Sequence, residues 1–236
     1  MVFSENLEMK QQTINKKSFK IVALILAVGF FATPPCSAEP GSELDDYVRA
    51  LESSYRGVRT LKADFTQTRE WGNRTRTESG EVYFERGGLM RWEYREPTVK
   101  LFIATRKDLY LYVPADMQVT HSKVKASDDV RVPFRLLLSR LNLKKVFKKI
   151  QFDDGDIKAR PGDRVLRAIP KKAEEAGYGE VWMEITPNFD IRKLVIHYAD
   201  RSRMEFLFED IERNIPLSPN LFTFTPPPGA NVIDQD

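Results

Sequence analysis

The side chains that most often carry enzyme chemistry are scarce in this sequence. The chain has two histidines and one cysteine among 236 residues. His121 is followed by Ser122, but a catalytic triad also needs an orienting carboxylate, which the sequence does not locate. His197 lies in a strand-like run, so we interpret both histidines as surface or hydrogen-bonded residues. No G-x-S-x-G, H-E-x-x-H or phosphate-binding loop motif occurs, and the sequence therefore does not predict an enzyme.

Metal chemistry has equally little support. Asp153, Asp154 and Asp156 surround Gly155 and resemble half of a calcium loop, but no acidic residue occupies the position of the twelfth ligand. We interpret this segment as a hairpin turn. A single cysteine can form neither a cysteine zinc site nor an internal disulfide. We expect no metal and no cofactor.

The densest local charge is a run of lysines at 144, 145, 148 and 149. We interpret it as the solvated face of a helix. Contact with an anionic membrane or an acidic partner is the alternative. The formal net charge of the whole chain is +3. This small positive excess gives only weak support to nucleic-acid binding.

The N-terminus has the pattern of a secretory signal peptide. Four lysines precede the apolar run 21–32, and small residues follow it. Twelve apolar residues span about 18 Å as a helix, well short of the roughly 30 Å of a bilayer core. We predict cleavage after Ala38, which gives a signal peptide over 1–38 and a domain over 39–236. The remaining domain has 33 basic and 32 acidic residues, so nucleic-acid binding loses its electrostatic basis.

Two alternatives at the N-terminus stay open. The acidic stretch before Met9 fits a signal peptide badly, so Met9 is an alternative start. Cys36 could be lipidated, although Thr33 and Pro35 occupy the places where lipoprotein signals usually have a leucine and a small residue.

The period of the apolar residues predicts a helix followed by many strands. Leu44, Val48, Leu51 and Tyr55 form one stripe over 43–56, with Ser42 as the N-cap and Gly57 as the stop. From residue 60 onward the period is two, and a Gly72-Asn73 turn reverses the chain. We predict a first strand from about 60 to that turn. Further strands are predicted over 77–86, 89–95, 98–105, 108–113, 117–122, 150–153, 156–160, 164–170, 179–186, 190–198 and 202–209, with Pro187-Asn188 as a turn and 221–225 as a short edge strand.

Residues 128–149 interrupt the strands with a helical segment or pair. The predicted fold is therefore mainly β: a single curved antiparallel sheet of about eleven strands, shaped as an incomplete half β-barrel with helices on its concave side. Apolar side chains on that face would be Phe65, Trp92, Phe102, Leu111 and Trp182. Both a well-packed core and a pocket for an apolar ligand would explain them.

Five segments, taken in order, resemble the LolA-type periplasmic lipoprotein carriers over nearly the whole exported chain. They are Leu61-Lys-Ala-Asp-Phe65-Thr-Gln67, Gly80-Glu-Val-Tyr-Phe-Glu-Arg86 running on to Met90-Arg91-Trp92, Leu109-Tyr-Leu-Tyr112-Val-Pro114, Pro133-Phe-Arg-Leu-Leu-Leu138, and Leu221-Phe-Thr-Phe224 ahead of three prolines. Any one of them is weak evidence, whereas five at compatible spacing is strong.

The resemblance implies a monomeric periplasmic chaperone that takes acylated lipoproteins from an inner-membrane ABC transporter. It would shield their acyl chains and pass them to an outer-membrane lipoprotein acceptor. Arg86 matches an arginine that holds a lid helix by hydrogen bonds to its backbone, with Arg91 as its nearest rival. The resemblance places the following residues in the lipid cavity or its lid: Tyr55, Leu61, Phe65, Met90, Trp92, Phe102, Phe134 and Leu137.

Other functions are compatible with the same fold. The chain could be the outer-membrane acceptor, itself a lipoprotein, but the sequence around Cys36 argues against it. It could be a module that senses lipids or lipoproteins, or a carrier of another amphiphile such as a glycolipid. A lipid hydrolase has the least support, because the nucleophile motif is missing.

Overall fold

The change of hydrophobic period near Gly57 marks the boundary between a helix and a sheet. The computed structural model describes residues 40–124 and 142–235. They fall in one compact unit, Ala38–Asp236. The predicted signal peptide and the predicted lid residues Phe134 and Leu137 lie outside the described residues.

The fold is mainly β, as predicted, with twelve strands in one sheet. The strands are β1 (Thr60–Trp71), β2 (Arg74–Glu85), β3 (Leu89–Glu96), β4 (Lys100–Ala104), β5 (Asp108–Val113), β6 (Gln118–Lys123), β7 (Phe147–Phe152), β8 (Arg164–Pro170), β9 (Glu180–Ile185), β10 (Ile191–His197), β11 (Arg203–Arg213) and β12 (Asn231–Gln235). The helices are α1 (Pro40–Arg56), α2 (Leu143–Val146) and α3 (Ala173–Ala176), with 3₁₀ turns at Pro114–Asp116 and Pro219–Phe222.

The sheet has two free edges and does not close into a barrel. Its strand order is β12-β6-β5-β4-β3-β2-β1-β11-β10-β9-β8-β7. All neighbouring strands are antiparallel except β12 and β6, which are parallel. The prediction of a purely antiparallel sheet is therefore wrong at this one pair, because the C-terminal segment crosses the sheet before β12 begins.

Helix α1 packs one apolar stripe against the sheet. It ends at Arg56 before Gly57, as predicted, but begins at Pro40 instead of residue 43. Val48, Leu51 and Tyr55 are at most 1% exposed. The Tyr55 hydroxyl accepts a hydrogen bond from the backbone N–H of Ile191 on β10, at 3.0 Å. We call the face of the sheet that contacts α1 the inner face. No helix among the described residues has the length and apolar character needed to cross a membrane.

Three local predictions are wrong. Residues 156–160 form no strand, because the loop from 153 to 163 contains the turn residues Gly155 and Gly162. Residues 221–225 are not an edge strand. A 3₁₀ turn begins at Pro219, and the prolines that follow 225 have no N–H to donate to a sheet. The helix predicted up to 149 ends at Val146, so the lysine run continues onto β7.

Candidate functional site

Aromatic side chains from β1, β2, β3 and β11 form a continuous layer on the inner face. Phe65 lies directly opposite Phe208 in the β1–β11 register. The Trp92 ring lies 4.8 Å from that of Phe65, 5.5 Å from that of Phe84 and 5.4 Å from that of Phe206. The first of these contacts is edge-to-face, with an interplanar angle of 76°, a geometry that aromatic quadrupoles favour. All five rings are at most 5% exposed.

Helix α1 contributes its own apolar stripe to the core that contains this layer. Leu51 and Tyr55 belong to the same buried cluster as Phe65 and Trp92. Burial raises the pKa of the Tyr55 hydroxyl to about 12, and the neighbouring guanidinium of Arg213 opposes that rise. Tyr55 is therefore a neutral residue that anchors the helix to β10.

The apolar face continues beyond the helix, where it becomes partly exposed. Trp92, Phe102, Leu111 and Thr120 are successive cross-strand partners on β3, β4, β5 and β6, so their side chains share the inner face. Trp92 is 2% exposed, whereas Phe102 and Leu111 are only partly buried. An apolar surface is thus accessible beside the closed core.

The outer face of the same strands is covered by the C-terminal segment. Ile103 and Val119 point to this face and are fully buried. Phe222 is 4% exposed, and the Phe224 ring lies 5.2 Å from that of Tyr110. On this outer face Leu101, Tyr110 and Tyr112 stay partly exposed, as Phe102 and Leu111 do on the inner face.

Arg86 fixes the C-terminal end of α1. Its Nη2 donates hydrogen bonds to the carbonyl oxygens of Arg56 at 2.7 Å and Val58 at 2.5 Å, and reaches that of Tyr55 at 3.4 Å. The last carbonyls of a helix lack partners within the helix, and a cation there also complements the helix dipole. Gly87 follows Arg86 with φ of +104°, a conformation that glycine adopts without strain, so the turn after β2 can present this side chain to the helix.

The structure brings most of the predicted site residues together. Tyr55, Leu61, Phe65, Met90 and Trp92 are at most 3% exposed and belong to one buried cluster, and Phe102 packs against it. The aromatic layer and the contacts of Arg86 with the helix backbone are therefore parts of one arrangement around α1.

Three of the predictions from sequence differ from this arrangement. Leu111 lies on the inner face but outside the buried cluster. Trp182 belongs to a separate cluster with Val165 and Val195 on the outer face, so its predicted inner position is wrong. Strand alternation explains this, because its neighbours on β9 are the residues that join the inner cluster. Arg91, the rival of Arg86, donates to the Leu221 carbonyl at 3.2 Å instead of to α1.

Sequence reasoning missed several rings of the aromatic layer. Phe84, Phe206 and Phe208 lie beside Trp92 and Phe65. The alternation of Phe206 and Phe208 on the strand predicted at 202–209 was a signal that both face the same side.

Among the described residues, one polar cluster lies around His121 on β6. His121 Nδ1 lies 2.5 Å from Asp234 Oδ1, and its Nε2 lies 3.1 Å from Asp108 Oδ1. Both carboxylates raise the pKa of this histidine, that of Asp234 the more strongly. Within 40–124 and 142–235, no three histidine, cysteine, aspartate or glutamate side chains gather in a way that could hold a metal. The feature that suits a ligand is the partly exposed apolar surface formed by Phe102 and Leu111.

Comparisons with known proteins agree with this arrangement. Residues 56–225 match the family model of the outer membrane lipoprotein carrier protein LolA. The outer-membrane lipoprotein carrier protein of Nitrosospira multiformis is 30% identical over 191 residues, which are 80% of this chain and 88% of the relative. That of Dechloromonas aromatica is 29% identical over 217 residues, 91% of this chain and 98% of the relative.

A comparison of folds gives a more distant likeness. The crystal structure of an uncharacterized conserved protein from Thermus thermophilus has a TM-score of 0.50 at 11% identity, and the match covers 81% of this chain and 99% of that one. At that identity it supports the fold alone. The match over residues 56–225, together with relatives that align along most of their length, shows that the chain belongs to the LolA family of outer membrane lipoprotein carrier proteins.

Proposed function

We propose that this protein is a periplasmic chaperone that carries acylated lipoproteins from an inner-membrane ABC transporter to an outer-membrane acceptor. Export through a cleaved signal peptide over 1–38 and action as a monomer are parts of the proposal. The single observation that carries it is the accessible end of the inner face, where the partly buried Phe102 and Leu111 extend the closed aromatic layer. An acyl chain is the ligand that matches an apolar surface of this kind.

The cargo must be held without being trapped. Three acyl chains contain on the order of 45 methylenes, and complete burial at about 0.8 kcal/mol each would amount to about 36 kcal/mol. Non-covalent affinities saturate near about 20 kcal/mol. A carrier that releases its cargo therefore has to leave part of the chains poorly packed. A surface that is only partly covered supports this mode of binding.

Helix α1 is the element we assign as a lid. It shares the buried core with the aromatic layer, and the Arg86 guanidinium holds its C-terminal carbonyls. Opening α1 would uncover part of this core for an incoming chain, and closing it would cover that part again. Phe134 and Leu137 are assigned as further lid residues only because they match lid or cavity positions of the LolA-type carriers.

Native mass spectrometry of the protein purified from its own periplasm tests the proposal as a whole. We expect a chain that starts at Glu39 and carries a lipoprotein. A diacylglyceryl group on Cys36 would instead identify an outer-membrane acceptor. A phospholipid or glycolipid as the regular adduct would contradict the assignment of lipoproteins as cargo.

A matched pair of variants on β5 tests the binding surface. Leu111→Asp places a negative charge on the inner face. Tyr112→Asp places the same charge at the next residue of β5, whose side chain lies on the outer face. Because an unpaired carboxylate is costly in an apolar contact, we expect Leu111→Asp to weaken binding of a fluorescent diacylated lipopeptide by at least about tenfold. Tyr112→Asp should stay within about twofold of the unmodified protein. Equal losses in the two variants would contradict the assignment of the inner face.

A further inference from the structure

A second apolar surface lies at the far edge of the sheet, away from Phe102 and Leu111. A groove of about 360 Å³ runs between the N-terminal half of α1 and the edge strand β7. Leu44 and Val48 of α1 form one side of its floor, and Phe147 and Ile150 of β7 form the other. We call it the cationic groove, for the side chains at its rim.

The rim of the cationic groove has an excess of positive charge. Lys144, Lys148 and Lys171 line it together with one carboxylate, Asp45. Lys144 Nζ lies 2.9 Å from Asp45 Oδ1, so these two charges compensate each other. Within the described residues, no ion pair joins Lys148 or Lys171 to a carboxylate. Two ammonium groups are therefore available to a ligand.

We propose that the cationic groove binds the anionic headgroup of a phospholipid in a membrane surface. A phosphodiester carries one negative charge with two free oxygens, which suits two ammonium groups, and the first methylenes of its chains would lie on the apolar floor. Val146 precedes the groove residue Phe147 in the chain and is 43% exposed. An aqueous anion alone would leave this floor unused.

The groove lies apart from Phe102 and Leu111, although it shares α1 with the proposed lid, and its test uses lipid vesicles without any lipoprotein. Lys148 lines the groove, whereas its neighbour Lys149 does not. The same holds for Lys171 and its neighbour Lys172, which is paired with Glu175 at 2.7 Å. The chain thus offers two double variants with equal changes in net charge: K148Q/K171Q in the groove and K149Q/K172Q beside it.

The experiment measures partitioning of the full exported chain onto vesicles by co-sedimentation at low ionic strength. We expect binding to phosphatidylglycerol vesicles and at least tenfold weaker binding to phosphatidylcholine vesicles. Since a lysine at an anionic surface contributes about fivefold in affinity, K148Q/K171Q should lose about 25-fold. K149Q/K172Q should remain within about twofold of the unmodified chain, and circular dichroism should show that both variants are folded.

Several results would overturn the inference. Equal losses in the two double variants would show attraction by net charge without a site. Equal binding to both lipids, or binding to neither, would remove the headgroup. Displacement of the protein from vesicles by millimolar inorganic phosphate would indicate an oxyanion site that needs no lipid. Tighter, groove-dependent binding of a polyglutamate peptide would indicate an acidic protein partner.

Discussion

The two parts of the sheet bury their faces to different extents. On β1, β2, β3 and β11 the inner face is closed, and Phe65 and Trp92 are each 2% exposed. On β4, β5 and β6 the C-terminal segment packs on the outer face, with Ile103 and Val119 at 0% exposure. The inner residues Phe102 and Leu111 of these strands are left partly exposed.

The comparison separates stability from binding within one continuous apolar face. A sheet needs at least one covered face, and either face satisfies that requirement. Because the C-terminal segment packs on the outside of β4–β6, the inner side of these strands can stay partly uncovered without loss of the fold. We therefore expect substitutions on the inner face to affect mainly stability on β1, β2, β3 and β11, and mainly cargo binding on β4 and β5.

The largest expected effect is the difference between Trp92→Ala and Leu111→Ala. Trp92 fills the centre of the closed layer, so its truncation should lower the free energy of unfolding by about 3–5 kcal/mol. Leu111 is partly exposed and should cost about 1 kcal/mol. Urea unfolding followed by circular dichroism measures both values. Similar losses for the two variants would mean that the two parts of the inner face are equally important for stability.

Gly80 tests the close packing of the covered part. It lies at a register shift between β2 and β3, opposite Phe65 on β1. A Cβ atom there would lie 1.9 Å from the carbonyl oxygen of Glu93, so Gly80→Ala forces the backbone to move. We expect a loss of about 1–3 kcal/mol, typical of overpacking.

The control for Gly80 is Gly57→Ala, because a Cβ at Gly57 has no atom within 4 Å. Gly57 has an ordinary backbone conformation and should tolerate alanine with a much smaller change in unfolding free energy. If Gly80→Ala were as stable as Gly57→Ala in urea, the tight approach of β2 and β3 would be contradicted.

Arg86 tests the region around α1, because it holds the C-terminal end of that helix. Arg86→Leu removes the hydrogen bonds to the Arg56 and Val58 carbonyls, and we expect a fold that is retained with a loss of about 1.5 kcal/mol. Because Arg86 matches the arginine that holds the lid in LolA-type carriers, we expect the variant to accumulate with bound lipoprotein that it does not release to the acceptor. Arg91→Leu is the matched control, since Arg91 contacts the C-terminal segment instead. Normal transfer by Arg86→Leu would contradict the role assigned to Arg86.

The sequence predicted the elements with strong periodicity and failed where tertiary contacts decide. The stripe ending at Tyr55 and the alternation around Phe65 and Trp92 have a local cause, so the helix and the central strands followed from it. Strand β12 has no such signal: all five of its residues are exposed, and pairing with β6 is what makes them a strand. Residues 221–225 alternate like a strand, but the prolines after them prevent pairing.

The candidate site was predictable in part for the same reason. Alternation assigns each side chain to a face, but it does not tell which face a given strand turns toward α1. Trp182 was therefore placed on the wrong face, although Val181 and Met183 beside it are equally apolar. That Leu111 is accessible while Trp92 is closed depends on the tertiary packing around each side chain, and this packing is not encoded locally.

The smallest expected effect concerns the attachment of β12 at the open end of the sheet. His121 on β6 faces Asp234 of β12 and Asp108 of β5, and it stacks on Tyr110, while Lys123 on its own strand pairs with Asp108. These carboxylates raise the pKa of His121 above its usual 6.5, so its contribution is complete below pH 6.5 and is lost as the pH rises through the raised value. Asp234 is 71% exposed, so screening should limit the effect to below about 1 kcal/mol.

The measurement is the rate at which carboxypeptidase removes β12 at pH 5.5 and pH 8.5. For the unmodified protein, we expect trimming to be slower at pH 5.5, relative to a peptide of the same C-terminal sequence that corrects for the pH dependence of the protease. His121→Gln should remove this difference, because glutamine stays neutral at both pH values. His197→Gln changes a histidine on β10, away from β12, and should preserve it. A pH difference that persists in His121→Gln would mean that the backbone pairing of β12 with β6, and not the imidazole, determines how firmly the C-terminal strand is held.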